Sequence, residues 1–276
     1  VTLTNSVTYQ VPISEANAAA AVATLLAERS GLSNSQVKKA MIAGAVWLER
    51  DGKSSRIRRN SQLKPADQLT LNYAPELLRE TPPTLKSIHK GDNFSVWVKP
   101  RGMTISGSRF CDHTSLKRCI ETQLPGQPAV YIVHRLDRFT AGLIVVAHNK
   151  ATAAHLAEQF KSHQVSKYYH ALVAGCCLEP ATIDMAIDGK AALSLISPVA
   201  QQAVRSIVRV EIKTGRKHQV RRHLASIDHP IIGDRQYNQR DPDHSLDLQL
   251  VASQLGFTVD DERFTFTIPW QEYLQW

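Results

Sequence analysis

Apolar positions along this chain fall into short runs rich in β-branched residues, separated by polar turns. Val130-Tyr-Ile-Val-His134 and Leu143-Ile-Val-Val-Ala147 read as two buried strands. The polar stretch between them must turn, and Gly142 helps it do so. Phe94–Val98, Tyr168–Ala174, Val204–Lys213 and Arg263–Ile268 read as further strands. Ala151–His163 has helical spacing, with Leu156 and Phe160 on one side. Nearer the start, Ser33 and Gln36 form a capping box for a helix over 34–43 that ends before Gly44. An alternating run at Ala45-Val-Trp-Leu48, a turn at Asp51-Gly52 and a strand at Gln68–Tyr73 follow. This order predicts an α+β fold, a mixed and mainly antiparallel sheet with flanking helices, rather than regular βαβ repeats.

Three regions are expected. Residues 1–75 form a small α/β unit, and 76–91, with Pro82 and Pro83 just after Pro75, form a linker in which proline disfavours a long helix. Residues 92–276 form the larger domain. No internal repeat, phosphate-binding glycine loop or nicotinamide fingerprint is visible. No apolar run approaches the roughly 18 residues of a membrane span, and the start shows no basic region followed by an apolar core. The expectation is a cytoplasmic monomer without membrane contact. Cys111, Cys119, Cys176 and Cys177 have no convincing zinc spacing and read as thiols in a reducing compartment.

Charge adds a location. The chain carries 33 Lys+Arg against 25 Asp+Glu, a formal +8, which favours a polyanionic partner. Residues 205–223 hold seven Lys and Arg, among them Arg216 and Lys217, against Glu211 alone, a local +6. Lys38 and Lys39 on the 34–43 helix, with Arg56 and Arg58 beyond the turn, form a second basic group. These side chains suit either a phosphate backbone or an ordinary solvated face.

The candidate chemistry centres on His134-Arg135-Leu136-Asp137-Arg138, where one carboxylate stands among basic side chains near a strand end. A rigid strand end holds a reacting group still. A surface loop in which Asp137 merely pairs with Arg135 or Arg138 is the plainer reading. Arg221 lies in a probable helix after the Thr214-Gly215 turn; its planar fork is suited to holding Asp137 ionised, whether for chemistry or for structure. Tyr169 offers a flat face for stacking on a base, or for packing in the core. The dispersed histidines form no recognisable metal set.

Taken in order, His134-Arg-Leu-Asp137 with Thr140-Ala-Gly-Leu143, Lys167-Tyr-Tyr169-His-Ala-Leu-Val-Ala-Gly175, Thr214-Gly-Arg-Lys-His-Gln-Val-Arg221-Arg-His-Leu-Ala225 and His229-Pro-Ile-Ile-Gly-Asp234 resemble the motifs of the RluA-type RNA pseudouridine synthases. Lys99-Pro-Arg-Gly102 resembles the opening of that family's catalytic domain. The resemblance covers about 92–270. It implies that Asp137 is the nucleophilic aspartate, Arg221 its ion-pair partner, and Tyr169 the aromatic that stacks on the target uracil and takes part in proton abstraction. It further implies that Lys167 supports the pocket and that Arg135 inserts where the target base leaves the helix. His134 and Arg138 are expected to help bind substrate, and Arg216 and Lys217 to contact RNA.

Residues 1–75 resemble, more loosely, an S4-type RNA-binding domain. The implied reaction converts uridine in RNA to pseudouridine without metal or organic cofactor, after the base leaves its stack. Large-subunit ribosomal RNA is the expected substrate, with transfer RNA the runner-up. A non-catalytic RNA-binding protein or RNA chaperone on the same fold is the alternative. The chain departs from the resembled pattern at Ala141, usually a small hydroxyl residue, at Val251, usually histidine, and at Leu48-Glu-Arg-Asp51-Gly52, usually a Val-Asn-Gly turn.

Overall fold

The computed structural model describes residues 5–124, 126, 129–177, 179–202, 204–239 and 245–276. It divides into two compact units, Val1–Thr84 with Ser106–Thr122, and Leu85–Ile105 with Gln123–Trp276.

In the first unit, β1 (Val7–Pro12), α1 (Val22–Ser30) and α2 (Asn34–Ile42) are followed by β2 (Val46–Arg50), β3 (Lys53–Arg56), β4 (Gln68–Tyr73), α3 (Pro75–Leu78) and, from the second segment, α4 (Leu116–Gln123). The Ser33–Gln36 capping box forms reciprocally at the start of α2. The strands pair in the order β1-β4-β2-β3. Val22, Leu26, Val37, Ala40, Met41, Leu69 and Leu71 build the core between sheet and helices. The sequence reading assigns Ser106–Thr122 to the larger domain; in the structure this segment packs with the N-terminal unit, where the Asp112 carboxylate accepts ion pairs from Arg56 (2.9 Å) and Arg58 (2.5 Å).

The second unit holds β5 (Lys86–Lys90), β6 (Phe94–Lys99), β7 (Tyr131–Ile132), β8 (Ala141–Ala147), α5 (Lys150–Lys161), β9 (Ser166–Ala174), β10 (Ala181–Asp184), β11 (Leu193–Gln202), β12 (Arg205–Ile212), α6 (Gln219–Ser226), β13 (Leu250–Val259) and β14 (Glu262–Thr267). These strands make one sheet, ordered β10-β11-β12-β9-β13-β8-β6-β5, with β14 on β13 and β7 on β8. Among the described residues every pair is antiparallel except β8 with β13. The mixed, mainly antiparallel α+β architecture is therefore present. Two local expectations change. The tract read as a linker contains α3 and β5, because Lys86–Lys90 finds a ladder partner in β6. The strand expected over Val130–His134 shrinks to Tyr131–Ile132, since only those residues pair with β8 before the chain leaves for the loop.

The parallel contact fixes that loop. Ala141 lies opposite Val251, and Gly142 opposite Ala252. Gly142 has φ +117°, and a Cβ there would stand 2.3 Å from the Ala252 carbonyl oxygen. Only glycine fits both the dihedral and the close approach. Gly142→Ala is expected to destabilise the fold by about 2–4 kcal/mol, read as a lower denaturant midpoint. Ala141 and Val251, both departures from the resembled pattern, face each other, so an apolar pair occupies a cross-strand position where that pattern puts two polar residues.

Candidate active site

Asp137 sits in the loop between β7 and β8, its side chain about a third exposed, and its backbone carbonyl accepts from the Thr140 N–H (3.1 Å). A buried cation holds the loop from beneath. The Lys99 ammonium, fully removed from solvent at the end of β6, donates to the carbonyls of Arg138 (2.8 Å), Pro100 (3.0 Å) and Met103 (3.0 Å). Burial lowers its pKa to about 7, while the negative charge of Asp137 works the other way. Arg138 Nε returns the tie by donating to the Gly102 carbonyl (2.9 Å). Two loops are thereby knitted under one carboxylate.

The partner of Asp137 comes from α6. Arg221 Nη1 lies 3.4 Å from Asp137 Oδ2, but its stronger attachment is to Asp234, with Nε to Oδ2 at 2.7 Å and Nη2 to Oδ1 at 2.8 Å. Asp234 is wholly buried and also accepts the backbone N–H groups of Gln236 and Tyr237. Burial opposes the Arg221 charge, yet Asp234, with a smaller share from Asp137, more than offsets it and raises the guanidinium pKa. Arg221 is thus held in a fixed direction with one edge left for Asp137. Gln219 anchors the start of α6, accepting from Thr214 Oγ1 and the Arg216 N–H while donating to the Leu193 carbonyl and Ser194.

Lys167 and Tyr169 alternate on one side of β9. Lys167 Nζ donates to the Thr214 carbonyl (3.1 Å), and burial lowers its pKa to about 8. The Tyr169 hydroxyl is pushed well above its ordinary pKa, first by burial and then by the charge of Asp137. It is therefore protonated at neutral pH. His218, the residue before α6, stands with Nε2 3.8 Å from Asp137 Oδ1 and Nδ1 3.0 Å from the Tyr237 hydroxyl.

The structure thus brings Asp137, Arg221, Tyr169 and Lys167 toward one region. Arg135 is exposed on the loop. His134 is engaged inward: its Nε2 accepts the Val145 N–H (3.1 Å) and its ring stacks on Phe160. Burial lowers its pKa to about 3. The neutral ring is an anchor for the loop.

A pH dependence follows from this. Below pH 6.5 the unfolded chain takes up a proton at this histidine that the folded chain refuses until about pH 3. Its contribution to stability is present above 6.5 and is lost at up to about 1.4 kcal/mol per pH unit as pH falls through that window. His134→Phe, which keeps the stack, is expected to flatten the stability profile between pH 6.5 and 5, as measured by urea denaturation.

Much of the basic character is internally satisfied. Arg56 and Arg58 are committed to Asp112, and Arg56 also lies over the Trp47 ring. In the 205–223 segment Arg209 covers Tyr168, Lys213 pairs with Glu211, Arg222 with Asp188, and Arg216 donates to the Ala191 carbonyl. Lys38, Lys39 and Lys217 are exposed. The local +6 is therefore far from a continuous free patch.

Sequence reasoning missed Lys99, Asp234, His218 and Tyr237 as parts of the site. Asp234 closes the His229–Asp234 motif, but its partner lies thirteen residues earlier on a helix, and no periodicity joins the two. Among the described residues no group of three or more His, Cys, Asp or Glu is placed to hold a metal ion, and no helix is long and apolar enough to cross a membrane.

Residues 93–226 match the family described as RNA pseudouridylate synthase. The tRNA pseudouridine synthase C of Yersinia pestis is 36% identical over 179 residues, covering 52% of this chain and 70% of that protein. The tRNA pseudouridine synthase C of Pectobacterium carotovorum subsp. carotovorum is 32% identical over 240 residues, covering 73% of this chain and 63% of that protein. The ribosomal large subunit pseudouridine synthase D of Nitrosomonas europaea is 31% identical over 178 residues, covering 58% of this chain and 52% of that protein. This chain thus spans 52–70% of the length of these three relatives. Among solved structures, human RNA Pseudouridylate Synthase Domain Containing 1 superposes with a TM-score of 0.59 at 25% identity, covering 69% of this chain and 86% of that one.

Proposed function

We propose that this chain, which belongs to the RNA pseudouridine synthase family, isomerises uridine in RNA to pseudouridine with Asp137 as the reacting carboxylate. The observation that carries this reading is the division of labour around Arg221. Asp234 neutralises and fixes the guanidinium, so Asp137 is not needed to pair it and stands partly open to a ligand. A carboxylate that faces a pre-oriented guanidinium from a loop tied down at both sides is a positioned nucleophile.

In the proposed reaction the target uridine leaves its stack, most easily where it is unpaired, and Arg135 occupies the space it leaves. Tyr169 stacks on the uracil, and Lys167 and Arg138 border the pocket. Asp137 attacks C1′, or assists elimination across the sugar, and the C1′–N1 bond breaks. The uracil stays trapped, turns, and rejoins through C5. The side chains supply the carboxylate, the counter-charge and the stacking face.

Large-subunit ribosomal RNA is the substrate class we favour, because an S4-like unit preceding the catalytic domain resembles the ribosomal members; exposed Lys38, Lys39 and Lys217 would then contact phosphates. The relatives named as tRNA pseudouridine synthase C favour transfer RNA as the second reading. The test is to treat unmodified transcripts of both kinds and map pseudouridine by carbodiimide adducts that stop reverse transcription. Stops in large-subunit RNA are expected. Stops confined to transfer RNA would replace the first reading by the second, and tight binding without any stop would favour a non-catalytic RNA-binding role.

A further inference from the structure

We propose that His218, oriented by Tyr237, accepts the proton that leaves C5 of the uracil. This rests on the isomerase reading of the same site. Asp137 presents its two oxygens to different neighbours: Oδ2 faces Arg221, and Oδ1 faces His218 Nε2. Oδ1 is thus the oxygen left to meet C1′. The 3.8 Å separation is beyond hydrogen-bond range, so Nε2 is not spent on the carboxylate. A carboxylate oxygen poised at C1′ stands about 3–3.5 Å from that carbon, and an atom bonded to C1′ lies one bond beyond it. C5 in the rejoined product is such an atom, and Nε2 borders the space it occupies.

Three features prepare the imidazole for this task. His218 has φ +55°, left-handed backbone at the position just before α6, where an extended residue is usual. That conformation is uncommon for a residue other than glycine, and such outliers gather at functional sites. Tyr237 holds the other nitrogen at 3.0 Å; in the proposed tautomer Nδ1–H donates to the hydroxyl oxygen, so that Nε2 carries the free lone pair. The groups facing the ring are Asp137, Arg221, Lys217, Asp234 and Tyr237; burial and the two cations keep it neutral at pH 7 against the pull of the carboxylates. Tyr169, by contrast, keeps its proton.

Once C5 has bonded to C1′, the base carries a tetrahedral C5 with one hydrogen and an N1=C6 double bond. Nε2 takes the C5 proton, and the C–H electron pair becomes C5=C6. The former C6–N1 π pair goes to N1, which takes a proton from water, and His218 later returns its proton to water.

The test compares single-turnover pseudouridine formation on RNA made with ordinary uridine and with uridine deuterated at C5. His218→Asn keeps the left-handed backbone accessible and removes the base. It is expected to slow turnover about a hundredfold and to reveal a primary isotope effect larger than that of the unaltered protein. Tyr237→Phe, which leaves His218 in place, is expected to show a smaller slowing with the same signature. Tyr169→Phe is expected to slow turnover through the altered pocket but to leave the isotope effect at the value of the unaltered protein. An unaltered rate in His218→Asn, a slowing without an isotope effect, or an isotope effect appearing only in Tyr169→Phe would overturn the proposal. Absence of pseudouridine with the unaltered protein would instead remove the isomerase reading itself.

Discussion

Replacing Asp137 by asparagine is expected to reduce pseudouridine formation by at least about a thousandfold while leaving the fold intact. The amide keeps the shape of the side chain and an oxygen for Arg221, but it is not a nucleophile. The usual ambiguity for such a variant is that losing one half of a buried ion pair can unfold the protein. The geometry here separates the two effects. Asp137 is about a third exposed and meets Arg221 at 3.4 Å, a long contact worth under about 1 kcal/mol. Arg221 retains its two shorter bonds to Asp234. Denaturation curves of parent and variant are therefore expected to agree within about 1 kcal/mol, and RNA binding to persist. A variant that lost activity together with several kcal/mol of stability would return Asp137 to a structural role.

Asp234→Asn is expected to lower stability and activity together, with the larger cost in stability. Its carboxylate is wholly buried, spans two nitrogens of Arg221 and accepts two backbone N–H groups at the following turn. The substitution leaves Arg221, itself almost buried, without its main counter-charge. Breaking a buried pair from one side costs about 3–5 kcal/mol. The denaturant midpoint should fall accordingly. Activity at a temperature where the variant remains folded should fall as well, because the guanidinium that directs Asp137 is no longer held.

The two variants together explain what the sequence shows and what it hides. Strands rich in β-branched residues, the capping box at Ser33 and the glycine turns are local signals, and β2, β6, β8, β9 and β12 and the helices α2, α5 and α6 are legible from them. The approach of β8 to β13 leaves a mark at Gly142, since only glycine fits there, but the mark does not name Ala252 as the neighbour. The packing of Ser106–Thr122 with the first unit, through Asp112 and two distant arginines, has no local signature at all.

The site divides in the same way. Asp137, Tyr169 and Arg221 stand out because ordered motifs surround them. Lys99 opens a motif as well, but its role is not legible there, since a lysine in a strand reads as exposed until three carbonyls are found to surround its ammonium. His134 misleads for a related reason: its position in the motif points to substrate, whereas its ring is used by the Val145 N–H and Phe160. The basic count over 205–223 overstates the free charge because partners such as Asp188 and Asp234 lie outside the segment.

The most direct measurement of the central claim is tritium release from RNA labelled at uridine C5, made on the intact chain and on Asp137→Asn, with ribosomal and transfer RNA transcripts supplied in parallel. The account predicts release by the intact chain from at least one RNA, one tritium for each pseudouridine formed, and none above background from the variant. Release by both proteins at equal rates, or by neither despite tight binding, would contradict it.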